Sequence, residues 1–580
     1  MSEPAKPEEP EDYLGEEPAS PSPPPARAKS GAVMVFAGIL LSRLIGFVRE
    51  GTFARFFGVS PYQDALSAAF RVPNILQNLL GEGILSASFI PIYSRLLAAG
   101  KEKEAGRFAG AIFGLLLAAA TGVALLGNLL ARPVVLFLAP GFRGDAARVA
   151  AGTLAVNRFD LTVAGVRILF PMTGIMVLSV WALAVLNSHR RFFLPYFAPV
   201  LWNAAIIGTL IFAGRHVIVG SHIVGSHGLR DVAAQTGLFR AACWGGFLGG
   251  FLQFLVQVPG VVRVVQGFRL SFSVQVPGVR EALAAWWPAV AGRGVVQLAG
   301  YVDLFLASLL APGAQSADRF AQTFYLLPIG LFGISVAASE LPELSRLRAG
   351  GAAAMLDRVR RALRYVAFLN VPTVVGYLAF GYLVIGLYRR GSFGAGANWL
   401  VYLVLCGYST GILATTTSRL LQNTFYALGD TRSPARIAAI RVVTSALLAL
   451  PLMYLLDLFP LSALVGPLPG RPLYLGSVGL SLASGFGAWM ELYQLRRALR
   501  RRLPDFELPW REDGRMVLIA LGAALPAAVL WWLLPPLPFV LRAGVVLGTY
   551  GLAYLLLCRL AGVEEVEAFV GGLRRRLKRR

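Results

Sequence analysis

Apolar runs ended by glycine, proline or clustered charge follow one another from Val33 almost to the C-terminus. Each is about 20 residues or longer, enough for a helix to cross a ~30 Å hydrocarbon core. Fourteen such runs can be counted. Six lie near 32–57, 64–95, 107–131, 161–187, 196–214 and 238–262, and six more near 281–311, 315–345, 362–388, 397–427, 435–457 and 476–495. A last pair lies near 515–535 and 541–560. The alternating ten-residue segments of a membrane β-barrel do not occur. The expected fold class is an all-α polytopic membrane protein with 14 transmembrane helices.

Composition agrees with the pattern. Hydrophobic residues make up 56% of the 580 and charged residues 15%, and the mean hydropathy is +0.63, too apolar for a soluble chain of this length. The formal net charge of +23 does not point to nucleic acid, because the arginines sit in short loops and form no basic face with stacking aromatics. They report topology instead. With the N-terminus in the cytoplasm, the even-numbered loops hold roughly 24 Lys and Arg and the odd-numbered loops roughly 11. Both termini are therefore expected on the cytoplasmic side of a multi-pass protein.

The first 31 residues, rich in proline and acid, read as a disordered cytoplasmic tail without the basic and small-residue features of a signal peptide. Cys243, Cys406 and Cys558 are far apart, inside apolar runs, with no ligand spacing. No metal site is expected. His222 and His227 in "GSHIVGSHG" read as a loop more readily than as ligands.

The spans contain an internal repeat. "PIYSRLLAAG" from Pro91 ends the second span and "PELSRLRAGG" from Pro342 ends the eighth. "LNSHRRFFLP" between spans four and five likewise matches "LQNTFYALGDTRSP" between spans ten and eleven. An offset of six spans gives both halves one orientation, as in transporters whose site lies between two repeats near the bilayer midplane.

Charges inside the runs mark that site. The first span reads "SRLIGFVRE", with Arg43 and Glu50 on one helical face about 10 Å apart along the axis and Arg49 adjoining it. An arginine at a helix centre costs ~2.5–3.5 kcal/mol to insert, so Arg43 and Arg49 are expected to face a cavity rather than lipid. An internal Arg49–Glu50 pair is the blander reading, and Arg55, near the span's end, reaches the surface. Span two adds Asp64, Arg71 and Glu82 among Pro73, Gly81 and Gly83, and Asp64 has Arg49 or Arg55 as possible partners. Span seven holds Arg293, Gln297 and Asp303; span eight opens with Asp318 and Arg319, either a local ion pair or part of the site. The arginines predict a positive cavity for a phosphate or pyrophosphate, which the guanidinium fork suits.

"SRLIGFVREGTFARFFG…DALSAAFRVPNILQNLLGEGILSASFIPIYSRL" resembles the first two spans of the MurJ/MviN lipid II flippase family, within the multidrug/oligosaccharidyl-lipid/polysaccharide exporter superfamily. "LNSHRRFFLPYFAPVLWN", "LPIGLFGISVA", "LYRRGSF" and "FYALGDTRSPARIA" follow the same pattern in order. The resemblance implies an N-lobe over 32–266, a C-lobe over 267–501, two further helices over 502–562 and a basic tail over 563–580. It implies a lipid II flippase of peptidoglycan synthesis in the bacterial cytoplasmic membrane, working by alternating access. Arg43, Arg49 and Asp64 match functional charges of the family, with Arg71, Glu82, Arg293 and Arg319 as further candidates. Two positions depart: Gln77 and Thr323 stand where the family has arginine, and Arg293 or Arg319 are the candidates to compensate.

Lipid II and the membrane are the expected partners, with cell-wall synthesis machinery as a further candidate and no nucleic acid. No cofactor is expected, and no phosphate-binding G-x-x-x-x-G-K-[ST] loop for ATP occurs. Proton or ion coupling is open, with Asp303 as the candidate. The alternatives are an exporter of another polyprenyl-diphosphate-linked glycan or amphiphile, a scaffold for division machinery, and a membrane transferase. The transferase reading lacks the clustered acids or His–carboxylate pair it would need, so a transporter rather than an enzyme is expected.

Overall fold

A computed structural model describes residues 26–80, 85, 88–218, 229–347, 352–468, 471–535, 538–567, 569 and 571. The tails before residue 26 and after 571, Glu82, His222 and His227 lie outside the described residues. Among those described, regular structure is helical apart from one isolated bridge between Pro460 and Tyr474.

The helices that build the fold are α1 (Ala26–Phe57), α2 (Pro61–Leu80), α3 (Ile90–Ala98), α4 (Glu102–Leu129), α5 (Arg158–Ser188), α6 (Phe193–Ile218), α7 (Leu229–Leu255), α8 (Val279–Ser308) and α9 (Ala314–Pro328). There follow α10 (Ser335–Leu347), α11 (Ala352–Ile385), α12 (Ala395–Ser409), α13 (Ile412–Ala427), α14 (Arg432–Asp457), α15 (Gly476–Arg500), α16 (Trp510–Leu533) and α17 (Phe539–Leu560). Among the described residues each expected run is thus covered by one helix or two. Among the described residues nine stretches are long and apolar enough to cross a membrane. The other five runs, α1, α2–α3, α8, α9–α10 and α15, carry the charges or breaks that lower their hydropathy. Pro328 lacks a backbone N–H, and the ladder beyond it relaxes into a π-helical turn, Ile329–Ile334, before α10.

Packing repeats with the sequence. α6 lies along α7 as α14 lies along α15; α2 lies against α5 as α9 and α10 lie against α12 and α13; and α4 flanks α5 as α11 flanks α12 and α13. α16 and α17 pair with each other and dock on α11. Side chains such as Leu125, Leu129, Phe137 and Trp532 remain bare on the outside, as expected of a surface that meets lipid rather than water.

The two sets of helices meet at the end where α1 finishes and α2 and α9 begin. There Phe47, Phe320, Phe324, Tyr388 and Phe393 form one aromatic knot, with Phe47–Phe324 centroids 5.5 Å apart and Phe324–Tyr388 5.1 Å. Gly58 turns the chain there with φ +59, and a β-carbon on it would collide with the Ser392 carbonyl. Farther back along α1, Leu40, Leu41 and Leu44 are exposed. The two sets of helices close on each other at this aromatic end.

The chain between α7 and α8 is extended and lies on α4. Gly106, Gly110 and Gly114 form a stripe one turn apart, and β-carbons there would collide with the carbonyls of Gln266, Arg269 and Ser271. The stripe lets two backbones touch, which side chains would prevent.

Candidate functional site

Neighbouring residues on a helix point about 100° apart, so Arg49 and Glu50 face different elements. Arg49 turns toward α6, its guanidinium 4.8 Å from the Trp202 ring centroid, and Glu50 turns toward α9. Glu50 is 5% exposed and accepts from Arg49 Nη2 at 2.7 Å and from Arg319 Nη2 and Nε at 2.9 and 3.3 Å. One carboxylate thus holds two guanidiniums and leaves the triad with a surplus positive charge. The Arg49–Glu50 pair exists, and it is only half of the arrangement.

Arg43 lies nearly two turns back along α1, away from the closed end. It is exposed, with no ion pair among the described residues. Its Nη1 lies 2.9 Å from where a β-carbon on Gly330 would sit, in the π-helical turn of the facing element. Arg71 on α2 donates from Nη2 to the Gly300 carbonyl of α8 at 3.3 Å. Arg43, Arg49, Arg71 and Arg319 are therefore brought together along one seam between the two sets of helices.

Asp64 is fully buried at the closed end, bonded to neither Arg49 nor Arg55. Its oxygens accept from Gly313 N at 2.6 Å and Ser316 N at 2.8 Å, and from Arg158 Nη1 at 3.3 Å. It caps the N-terminus of α9 from the opposite set of helices, satisfying donors that a helix cannot satisfy itself. Arg158 is 1% exposed; it also grips Asp145 from Nε at 2.6 Å and Nη2 at 3.0 Å and covers the Phe142 ring at 4.3 Å. Arg158 and Asp145 carry no signal in the sequence: both read as loop charges, and only the fold brings them to Asp64.

Asp318 and Arg319 do not pair with each other. Arg319 goes to Glu50, whereas Asp318 accepts from Tyr408 Oη at 2.6 Å and Gln322 Nε2 at 2.9 Å. Asp303 borders two cavities. One, of about 40 Å³, is lined by Ser67, Arg71, Gln315, Asp318 and Gln322. The other, of about 660 Å³, lies among α8, α13, α14 and α15, where Arg441 Nη1 meets Glu491 at 2.6 Å. Thr323 donates to the Arg319 carbonyl at 3.2 Å. Arg293 and Gln77 occupy helical positions in α8 and α2, and their side chains lie outside the described residues. Among the described residues no group of three or more His, Cys, Asp or Glu could hold a metal ion.

Residues 53–539 match the family described as lipid II flippase MurJ. The chain is 30% identical to the probable lipid II flippase MurJ of Rhizobium tropici over 562 residues, 94% of this chain and 96% of that one. It is 30% identical to the lipid II flippase MurJ of Burkholderia cenocepacia over 81% of this chain and 84% of that one. Among solved structures it resembles a lipid II flippase MurJ in an inward closed conformation, with a TM-score of 0.69, 19% identity, and coverage of 91% and 98%. It also resembles an inward-facing multidrug resistance MATE transporter of the MOP superfamily, with a TM-score of 0.57, 14% identity, and coverage of 82% and 98%. The chain is a multi-pass helical membrane protein that belongs to the lipid II flippase MurJ family.

Proposed function

We propose that this chain is a flippase for lipid II, carrying the undecaprenyl-diphosphate-linked peptidoglycan precursor from the inner to the outer leaflet by alternating access. The carrying observation is the seam itself: four guanidiniums from α1, α2 and α9 against three carboxylates, Glu50 on Arg49 and Arg319, and Asp303 and Asp318 beside Arg71, so that positive charge remains in surplus. An anionic diphosphate is the ligand such a field favours. Arg43, exposed and farthest from the closed end, makes the first contact. Arg49, Arg71 and Arg319 receive the head farther in, and Arg319, one turn before Thr323, stands in for the arginine absent there. Asp64 acts on closure, since its oxygens are already taken by Arg158 and α9.

The same reading places fourteen crossings in the bacterial cytoplasmic membrane with both termini inside, and two lobes over 32–266 and 267–501. The sugar-peptide head would travel in the seam while the polyprenyl tail stays in lipid. Asp303, between two cavities, is the coupling candidate, and cell-wall synthesis machinery is the partner class to look for.

The test is exposure of lipid II in the outer leaflet of bacteria depleted of their own flippase and expressing this chain or its Arg43→Ala variant. Restoration by the parent alone, at equal membrane levels, supports the reading and the role of Arg43. A well-inserted parent that restores nothing sinks lipid II as cargo and favours another lipid-linked glycan. Equal restoration by both keeps transport and removes Arg43 from it.

A further inference from the structure

The small cavity between α2, α8 and α9 contains more than the arginine seam uses. Asp318 borders it with both oxygens bonded to uncharged donors, the Tyr408 hydroxyl and the Gln322 amide, and with no ion pair among the described residues. Gln315, 5% exposed and lining the same cavity, has an Oε1 buried without a hydrogen-bond donor. A buried acceptor without a donor is costly. The space of about 40 Å³ is room for a single water or ion.

The charges around it are few. α2 presents Arg71, α8 presents Asp303, and α12 presents Tyr408. On α9 itself Arg319 is turned to Glu50 and Arg49 of α1, and α11 presents Tyr377, which bonds the Phe324 carbonyl. The acid of α15, Glu491, is paired with Arg441. Two carboxylates therefore face one uncommitted guanidinium, Arg71, which spends one of its bonds on the Gly300 carbonyl. One added positive charge balances the set. Ser67 and Arg71 come from one set of helices and Asp303, Gln315 and Asp318 from the other, so parting the two sets opens the cavity to water.

The geometry points to Asp318 as a proton-binding site at the seam, loaded and unloaded as the two sets of helices part and close. The step is a plain transfer: hydronium gives a proton to the Asp318 carboxylate and leaves as water, and the reverse frees it. This deepens the flippase reading and rests on it only for the cargo that the proton accompanies. A sodium ion in the same space has the same charge, and the test separates the two.

The purified full-length protein is reconstituted in lipid bilayers without cargo, and infrared difference spectra are recorded across a pH jump and, separately, across a sodium jump at fixed pH. The expected result is a carboxylic acid carbonyl band in the pH difference that is lost in Asp318→Asn and kept in Asp303→Asn. Tyr408→Phe shifts the band to higher frequency, because the acid loses a hydrogen bond from the tyrosine; this variant removes one oxygen and serves if Asp318→Asn fails to fold. A spectrum unchanged in Asp318→Asn or Tyr408→Phe overturns the proposal, as does a response to sodium in place of the response to pH. If the band is assigned to Asp318 and lipid II is not moved in cells, the proton site stands and the cargo falls.

Discussion

A charge buried between two partners of opposite sign is more exacting than one at the surface. Desolvating the charges costs several kcal/mol, repaid only while every partner is present. The Asp64–Arg158–Asp145 cluster shows this most plainly, since all three side chains are at most 1% exposed. Arg158→Ala leaves buried Asp64 without its cation and Asp145 with only Arg148 at 3.9 Å, and should destabilise the protein by about 3–5 kcal/mol, read as a lower unfolding temperature in detergent. Arg43→Ala, on an exposed side chain without an ion pair, should leave that temperature unchanged while abolishing transport. The sequence identified the arginines of α1 but not the partner of Asp64, because residues 94 positions apart meet only through tertiary packing and Arg158 looked like an ordinary loop cation. The Arg49–Glu50 bond was legible because the two are neighbours; the third member, Arg319, was named as a site candidate, but its bond to Glu50, 269 positions away, had no signal.

Among the elements, hydrophobic runs found the helices, and glycine, proline and charge found most of their ends. The connector on α4 could not be read in that way. Glycines four apart resemble any small-residue stripe, and an extended segment seated on them has no periodic signal of its own. Gly110→Val should lift this connector from α4, seen as faster tryptic cleavage at Arg269 without loss of helix content. A second element-level prediction concerns the turn from α13 to α14. Asp430 accepts from Ser433 and Arg432 backbone N–H groups and meets Arg502 at 2.6 Å. The Ser433 bonds first, and then Arg502, hold its carboxyl below the usual range. A carboxyl with a lowered folded value stabilises above its unfolded value, about pH 4, and loses that contribution as pH falls through the folded one. The difference in unfolding temperature between the parent and Asp430→Ala should therefore be constant at neutral pH and close in acid below about pH 4.

For the whole molecule, α8 is the member both sets of helices share. Its first turn, with Val279 and Ala282, is buried with Phe89, Ile92 and Phe108; its last, with Leu306 and Ala307, is buried with Met453 and Leu480. Relative motion must flex α8, and Gly292 and Gly294 lie between its anchored ends. Replacing both with alanine should stiffen α8 and slow lipid II exposure in the same cells. The repeat in the sequence predicted two matching sets of helices, but it gave no reason to expect one helix rooted in both.

The cap that Asp64 places on α9 has a consequence for how the closed end can open. Parting it bares a carboxylate and the N–H groups of Gly313 and Ser316, none of which can be left dry. Water must fill each place as the protein partner leaves, so opening is a wetting event. Its pace should follow the activity of water at that face, and a crowded or strongly osmotic solution there would act as a brake on the whole cycle.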